Sequence, residues 1–111
     1  MDLNDYQQHA KRTAIYPDKG TGSNNAINYT ILGAVGETGE LGNTWKKYFR
    51  DSTDRAVVVE QLRYELGDVL WYVANLAAEL NMTLEEVAKC NLDKLRDRQA
   101  RGRLGGSGDK R

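Results

Sequence analysis

Two acidic pairs, Glu37 with Glu40 in GETGEL and Glu65 with Asp68 in YELGDVLWY, are the residues best spaced for chemistry. Each pair is set i, i+3, so on a helix both carboxylates share one face with Cβ atoms about 5–6 Å apart. Two such helices packed side by side would bring four carboxylates together. That density of negative charge calls for cations, and all-oxygen ligands suit the hard divalent ions Mg²⁺ and Mn²⁺. In a chain with 29% charged residues, one ExxE alone is ordinarily a solvated face. Two such steps, each beside an apolar seam and on consecutive helices, point instead to a site.

Other polar side chains fall into register with these acids. Glu37, Glu40, Thr44 and Lys47 form one helical stripe; Glu65, Asp68, Tyr72, Asn75 and Glu79 form another. Further along, Asn91 falls inside an otherwise apolar face (Leu84, Val87, Ala88, Leu92, Leu95), with Lys94 and Arg98 on the same side. The trio can be read as a phosphate-facing edge. It can equally be an amide that caps a neighbouring helix, with two cations snorkelling to water. One histidine, His9, cannot supply the paired ExxH motifs of a ferritin-like di-iron bundle or a histidine-rich zinc site. The lone Cys90 forms no internal disulfide and fits a small buried hydrophobe. No Walker-type loop, GxSxG elbow or Cys–His couple is present.

The elements that must position these residues are helical. Apolar residues recur at helical spacing, and Pro17 is the one proline. The pattern predicts helices over about 3–15, 25–50, 55–80 and 83–102. Asp2 or Asn4 caps the first, the Asp51–Asp54 turn caps the third, and Thr83 with Glu86 forms a capping box for the fourth. In the second helix, Gly33, Gly36, Gly39 and Gly42 each cost about 1 kcal/mol relative to alanine, so tight packing or a close approach is expected there. In the third, Leu62, Leu66, Val69, Val73, Leu76 and Leu80 make the main apolar stripe. Trp71, Ala74 and Ala78 make a second one, which implies packing on two sides, one of them another subunit. Residues 1–102 read as one domain and 103–111 as a glycine-rich tail, disordered by composition.

Composition narrows the function. The chain has 111 residues and no net charge, with sixteen Lys+Arg against sixteen Asp+Glu, so a basic footprint for a nucleic acid polymer is missing. The longest apolar stretch, near Val69–Leu80, is too short for a membrane span, and the N-terminus lacks a signal-peptide pattern. A soluble, cytoplasmic protein is expected.

With GETGEL, ELGDVLWYVANLA and NLDKLRDR together, the chain resembles the MazG-like nucleoside triphosphate pyrophosphohydrolases, of the all-α NTP pyrophosphatase group. The segments NDYQQHAKRTAIYP and RGRLGGSGDKR extend the resemblance to short, single-domain bacterial and phage members. It implies a four-helix bundle completed by dimerisation, as a homodimer or homotetramer. It also implies Mg²⁺ held by Glu37, Glu40, Glu65 and Asp68, and hydrolysis of a nucleoside triphosphate to monophosphate and pyrophosphate. Lys47, Tyr72, Asn75, Asn91, Lys94 and Arg98 match positions that the family uses on the substrate side. Two other readings stand beside it: a catalytically silent nucleotide-binding dimer with a regulatory role, and a pyrimidine-specific dCTP or dUTP pyrophosphatase. The resemblance also suggests that Arg101–Asp109 folds over the nucleotide.

Overall fold

The computed structural model describes residues 1–111. It contains four helices and no strand: α1 (Leu3–Arg12), α2 (Asn24–Asp51), α3 (Arg55–Glu79) and α4 (Leu84–Ala100). The all-α expectation holds, and the β-branched run Val57–Val59 lies within α3. Side chains set the helix starts. Asp2 closes a capping box with Asp5, Ser23 accepts from Ala26 N, Asp54 from Ala56 N, and Thr83 with Glu86 forms the expected box on α4. α1 ends at Arg12, three residues before the expected Ile15. Thr13 Oγ1 donates back to Ala10 O, and the chain must be extended on reaching Pro17.

α2 and α3 form a long antiparallel hairpin through a short turn, in which Ser52 takes the left-handed conformation with φ 54°. At about 1.5 Å per residue, the 28 residues of α2 span about 42 Å, which sets the 43 Å length of the molecule. α1 lies against α3 and α4, while α4 touches only α1 and α3. Two small clusters make the core: Ala10, Ala74 and Leu84, and Ala14, Tyr16 and Ala26. Trp71 packs against both. Gln7, 3% exposed, ties the layers together: Nε2 donates to Ala74 O and Met82 O, and Oε1 accepts from Leu84 N. A buried amide with its hydrogen bonds met stabilises this junction rather than straining it.

The two apolar faces of α3 differ in how far they are covered within one chain. The Trp71–Ala74–Ala78 side is intramolecular: Ala74 is fully buried, and Trp71 Nε1 donates to Thr13 Oγ1 at 2.7 Å. The leucine stripe is the outward one, with Leu66, Val73 and Leu80 exposed. α1 is short and meets the alanine side of α3 through Gln7 and Ala10, which leaves the leucines uncovered. Cys90 is exposed, contrary to the buried position expected.

Candidate metal and nucleotide site

The α2–α3 hairpin places the two acidic pairs opposite each other. Glu37 and Glu65 are half-buried, Glu40 and Asp68 exposed. Glu37 feels the other three. Burial first, then the charges of Asp68, Glu40 and Glu65, push the Glu37 carboxyl above its ordinary range. No three acidic, histidine or cysteine side chains close into a metal-sized cluster, an arrangement in which like charges stay apart. Glu65 shows where a cation fits. Its Oε1 accepts from Thr44 Oγ1, whereas its Oε2 is buried and has no hydrogen-bond partner. A buried carboxylate oxygen without a donor is costly, and a hard cation would satisfy it. With oxygen-only donors around it, the residue set fits Mg²⁺ or Mn²⁺.

Tyr72 joins this group. Its ring lies over Gly33 so closely that a Cβ there would sit 2.1 Å from Tyr72 Cε1. Burial first, then Tyr29, Glu37 and Asp68, push its hydroxyl pKa up. The close approach expected of the α2 glycines is therefore real at Gly33. At Gly36, Gly39 and Gly42 a methyl would meet nothing within 4 Å. Tyr6 on α1 reaches the far side of the acids: burial, then the charge of Asp68, raises its hydroxyl.

The rest of the α3 stripe turns to other work. Asn75 is 1% exposed, and Nδ2 donates to Trp71 O at 3.1 Å and Ala10 O at 3.4 Å, so it joins α3 to α1. Glu79 is a buried anchor for the loop between α1 and α2. It accepts from the Tyr16 hydroxyl, from Gly20 N at 2.8 Å and from Gly22 N at 2.9 Å. Burial would raise its carboxyl, but the bonds from Tyr16, Gly20 and Gly22 and the charge of Lys11 outweigh that and hold it below its ordinary range. Tyr16 in turn stacks on Tyr29, with ring centroids 5.3 Å apart, so this anchor fixes an aromatic row that ends at Tyr72.

The expected cations do not surround the acids within one chain. No Lys or Arg is among the charges that shift Glu37. Lys47 is exposed, and its charge acts on Asp51. Asn91 is exposed, not buried in the apolar face, and with Lys94 it lines an open groove of about 560 Å³. Arg98 is 3% exposed and holds the tail, its Nη2 donating to Asp109 O at 2.7 Å and Gly108 O at 3.3 Å. Lys94 donates to Asp109 Oδ1 at 3.2 Å. Arg111 gathers the same segment through the carbonyls of Leu104, Gly105 and Gly108. The tail is thus folded back along α4, where composition predicted disorder. Thr44, which bonds Glu65, and Tyr29, which lies beside Tyr72, are residues that sequence reasoning did not count as site residues. Thr44 lies one turn beyond Glu40 on the acidic stripe, which is the signal that marks it.

No helix is long and apolar enough to cross a membrane. Residues 26–102 match the model of the MazG nucleotide pyrophosphohydrolase domain, a span that holds all four acids. The chain is 45% identical over 115 residues to the Gene 37 protein of Mycobacterium phage L5, with both chains covered in full. No solved structure matches it.

Proposed function

Because the chain belongs to the MazG nucleotide pyrophosphohydrolase family, we propose that it hydrolyses nucleoside triphosphates to nucleoside monophosphate and pyrophosphate with Mg²⁺ or Mn²⁺. One observation supports the reading: Glu37 lies within the charge of Glu40, Glu65 and Asp68 across α2 and α3, and one oxygen of this group, Glu65 Oε2, is buried without a partner. A triphosphate and four carboxylates repel unless cations intervene. Glu37, Glu40, Glu65 and Asp68 would hold the metal, which when bound would offset the phosphate charge and polarise the phosphoryl group.

The protein's own groups do the rest. Water attacks the α-phosphorus, the bond from that phosphorus to the α–β bridging oxygen breaks, and pyrophosphate leaves with the electron pair. Glu37 or Glu40 orients the water and takes its proton. Tyr72, beside Glu37 and Asp68, borders the space that the nucleotide enters. Lys47 and Lys94 are the cations available to offset charge on the leaving pyrophosphate, since Arg98 is buried and holds the tail. Because they do not surround the acids within one chain, a homodimer or homotetramer is part of the same proposal.

A panel of ribo- and deoxynucleoside triphosphates, assayed for pyrophosphate with and without Mg²⁺, tests it. Monophosphate and pyrophosphate are expected in equal amounts, and only with metal. Glu65→Gln and Asp68→Asn should each lower kcat by at least about 10²-fold with helix content unchanged. Nucleotide binding with no turnover of any triphosphate would instead establish a silent binder.

A further inference from the structure

Three threonines lie in α2, and two behave as helix threonines usually do. Thr30 Oγ1 donates to Ala26 O and Ile27 O, both at 3.0 Å, and Thr38 Oγ1 to Ala34 O at 2.7 Å. Thr44 departs from this pattern: its hydroxyl crosses to α3 and donates to Glu65 Oε1 at 2.5 Å. The other oxygen of the same group, Oε2, is left buried and unpartnered. The half-buried Thr44 and Glu65 therefore present a carboxylate with one oxygen committed and one free.

We propose that Thr44 is a positioning residue, whose hydroxyl fixes the Glu65 carboxylate so that only Oε2 faces the cation. The inference rests on the four-carboxylate reading above and adds a consequence for the choice of metal. With Oε1 occupied, Glu65 gives one oxygen rather than a two-oxygen grip. One-oxygen contacts suit the tight octahedral shell of Mg²⁺ or Mn²⁺, whereas Ca²⁺ takes a larger shell in which two-oxygen carboxylate contacts are common. Thr44 thus favours the smaller ions.

The test is Mn²⁺ binding to the purified full chain without nucleotide, read from the electron paramagnetic resonance signal of free Mn²⁺, with Ca²⁺ as competitor. Thr44→Val keeps the shape and removes the hydroxyl; Thr44→Ser keeps the hydroxyl. Valine should weaken Mn²⁺ binding about tenfold, the usual loss when a ligand's orienting partner is removed. It should also make Ca²⁺ a better competitor, and serine should restore both properties. If Thr44→Val binds Mn²⁺ like the wild type while Glu65→Gln binds it weakly, the Thr44 assignment is overturned and the carboxylate site stands. A lower melting temperature for Thr44→Val with unchanged metal affinity overturns it too, because the bond would then serve only to join the helices. Failure of the wild type to take up Mn²⁺ overturns both.

Discussion

Glu37 and Glu79 show opposite responses of a carboxyl group to burial. Around Glu79, three hydrogen bonds are aimed at the charged form, and they more than offset the loss of water. Its folded-state carboxyl therefore lies below the ordinary 4.5, so the unfolded chain takes up the proton first. The stabilisation is complete above that value and is lost as pH falls through the folded-state value. Urea unfolding of the wild type between pH 6 and 3 should show stability declining below pH 4.5, and Glu79→Gln should flatten that limb by removing the group that titrates. Other depressed carboxyls, such as Asp93 and Asp109, leave a residual slope. Glu37 is the reverse case: it is surrounded by acids and has no cation acting on it. Glu37→Gln should raise the melting temperature in chelator while abolishing pyrophosphate release. A lower melting temperature would show that the acids do not repel one another in the free protein.

Helix boundaries are legible in the sequence because the groups that set them act over three or four residues. The Thr83–Glu86 box, the Asp54 cap and the stop before Pro17 all follow from local chemistry. A stripe on a helix, however, gives a direction and not a neighbour. Glu65 through Glu79 point one way along α3, yet the first half meets the acids of α2 and the second half meets α1 and its following loop. Five side chains on one stripe accordingly do two jobs, and Asn75 and Glu79 belong to the second. Gly33 makes the same point within α2. Among four evenly spaced glycines, only a partner 39 residues away in sequence, Tyr72, singles it out. Gly33→Ala should destabilise the chain by about 1–3 kcal/mol through overpacking, despite the higher helix propensity of alanine. The alanine variant should unfold at a lower urea midpoint with an unchanged slope. The tail depends on α4 in a comparable way: Arg98→Ala removes the donor to the Gly108 and Asp109 carbonyls. Limited proteolysis should then cut within residues 103–111 faster, with helix content preserved.

A single copy of the chain is too thinly filled to be the whole story of its stability. Only 13 of 111 residues are buried, and the radius of gyration is 16.6 Å, against about 13 Å for a compact domain of this length. Apolar side chains line the outside of the hairpin instead: Leu32, Val35, Phe49, Tyr64 and Leu66 are all more than half exposed. On a monomer such a surface invites association, and the proposed oligomer would cover it. Light scattering on the purified protein should therefore give two or four times 12.5 kDa. Leu66→Asp separates the alternatives. Leu66 is 57% exposed, so in a true monomer an aspartate there would change stability by no more than about 0.5 kcal/mol. In an oligomer it drives an unpaired charge into an apolar contact, and the mass should fall to that of one chain with a loss of activity. Trp71→Asp is no substitute for this test, since Trp71 packs against both core clusters and its loss would unfold the monomer itself. An unchanged mass for Leu66→Asp would move the interface off the leucine stripe of α3 and leave its exposure to be explained by some other partner.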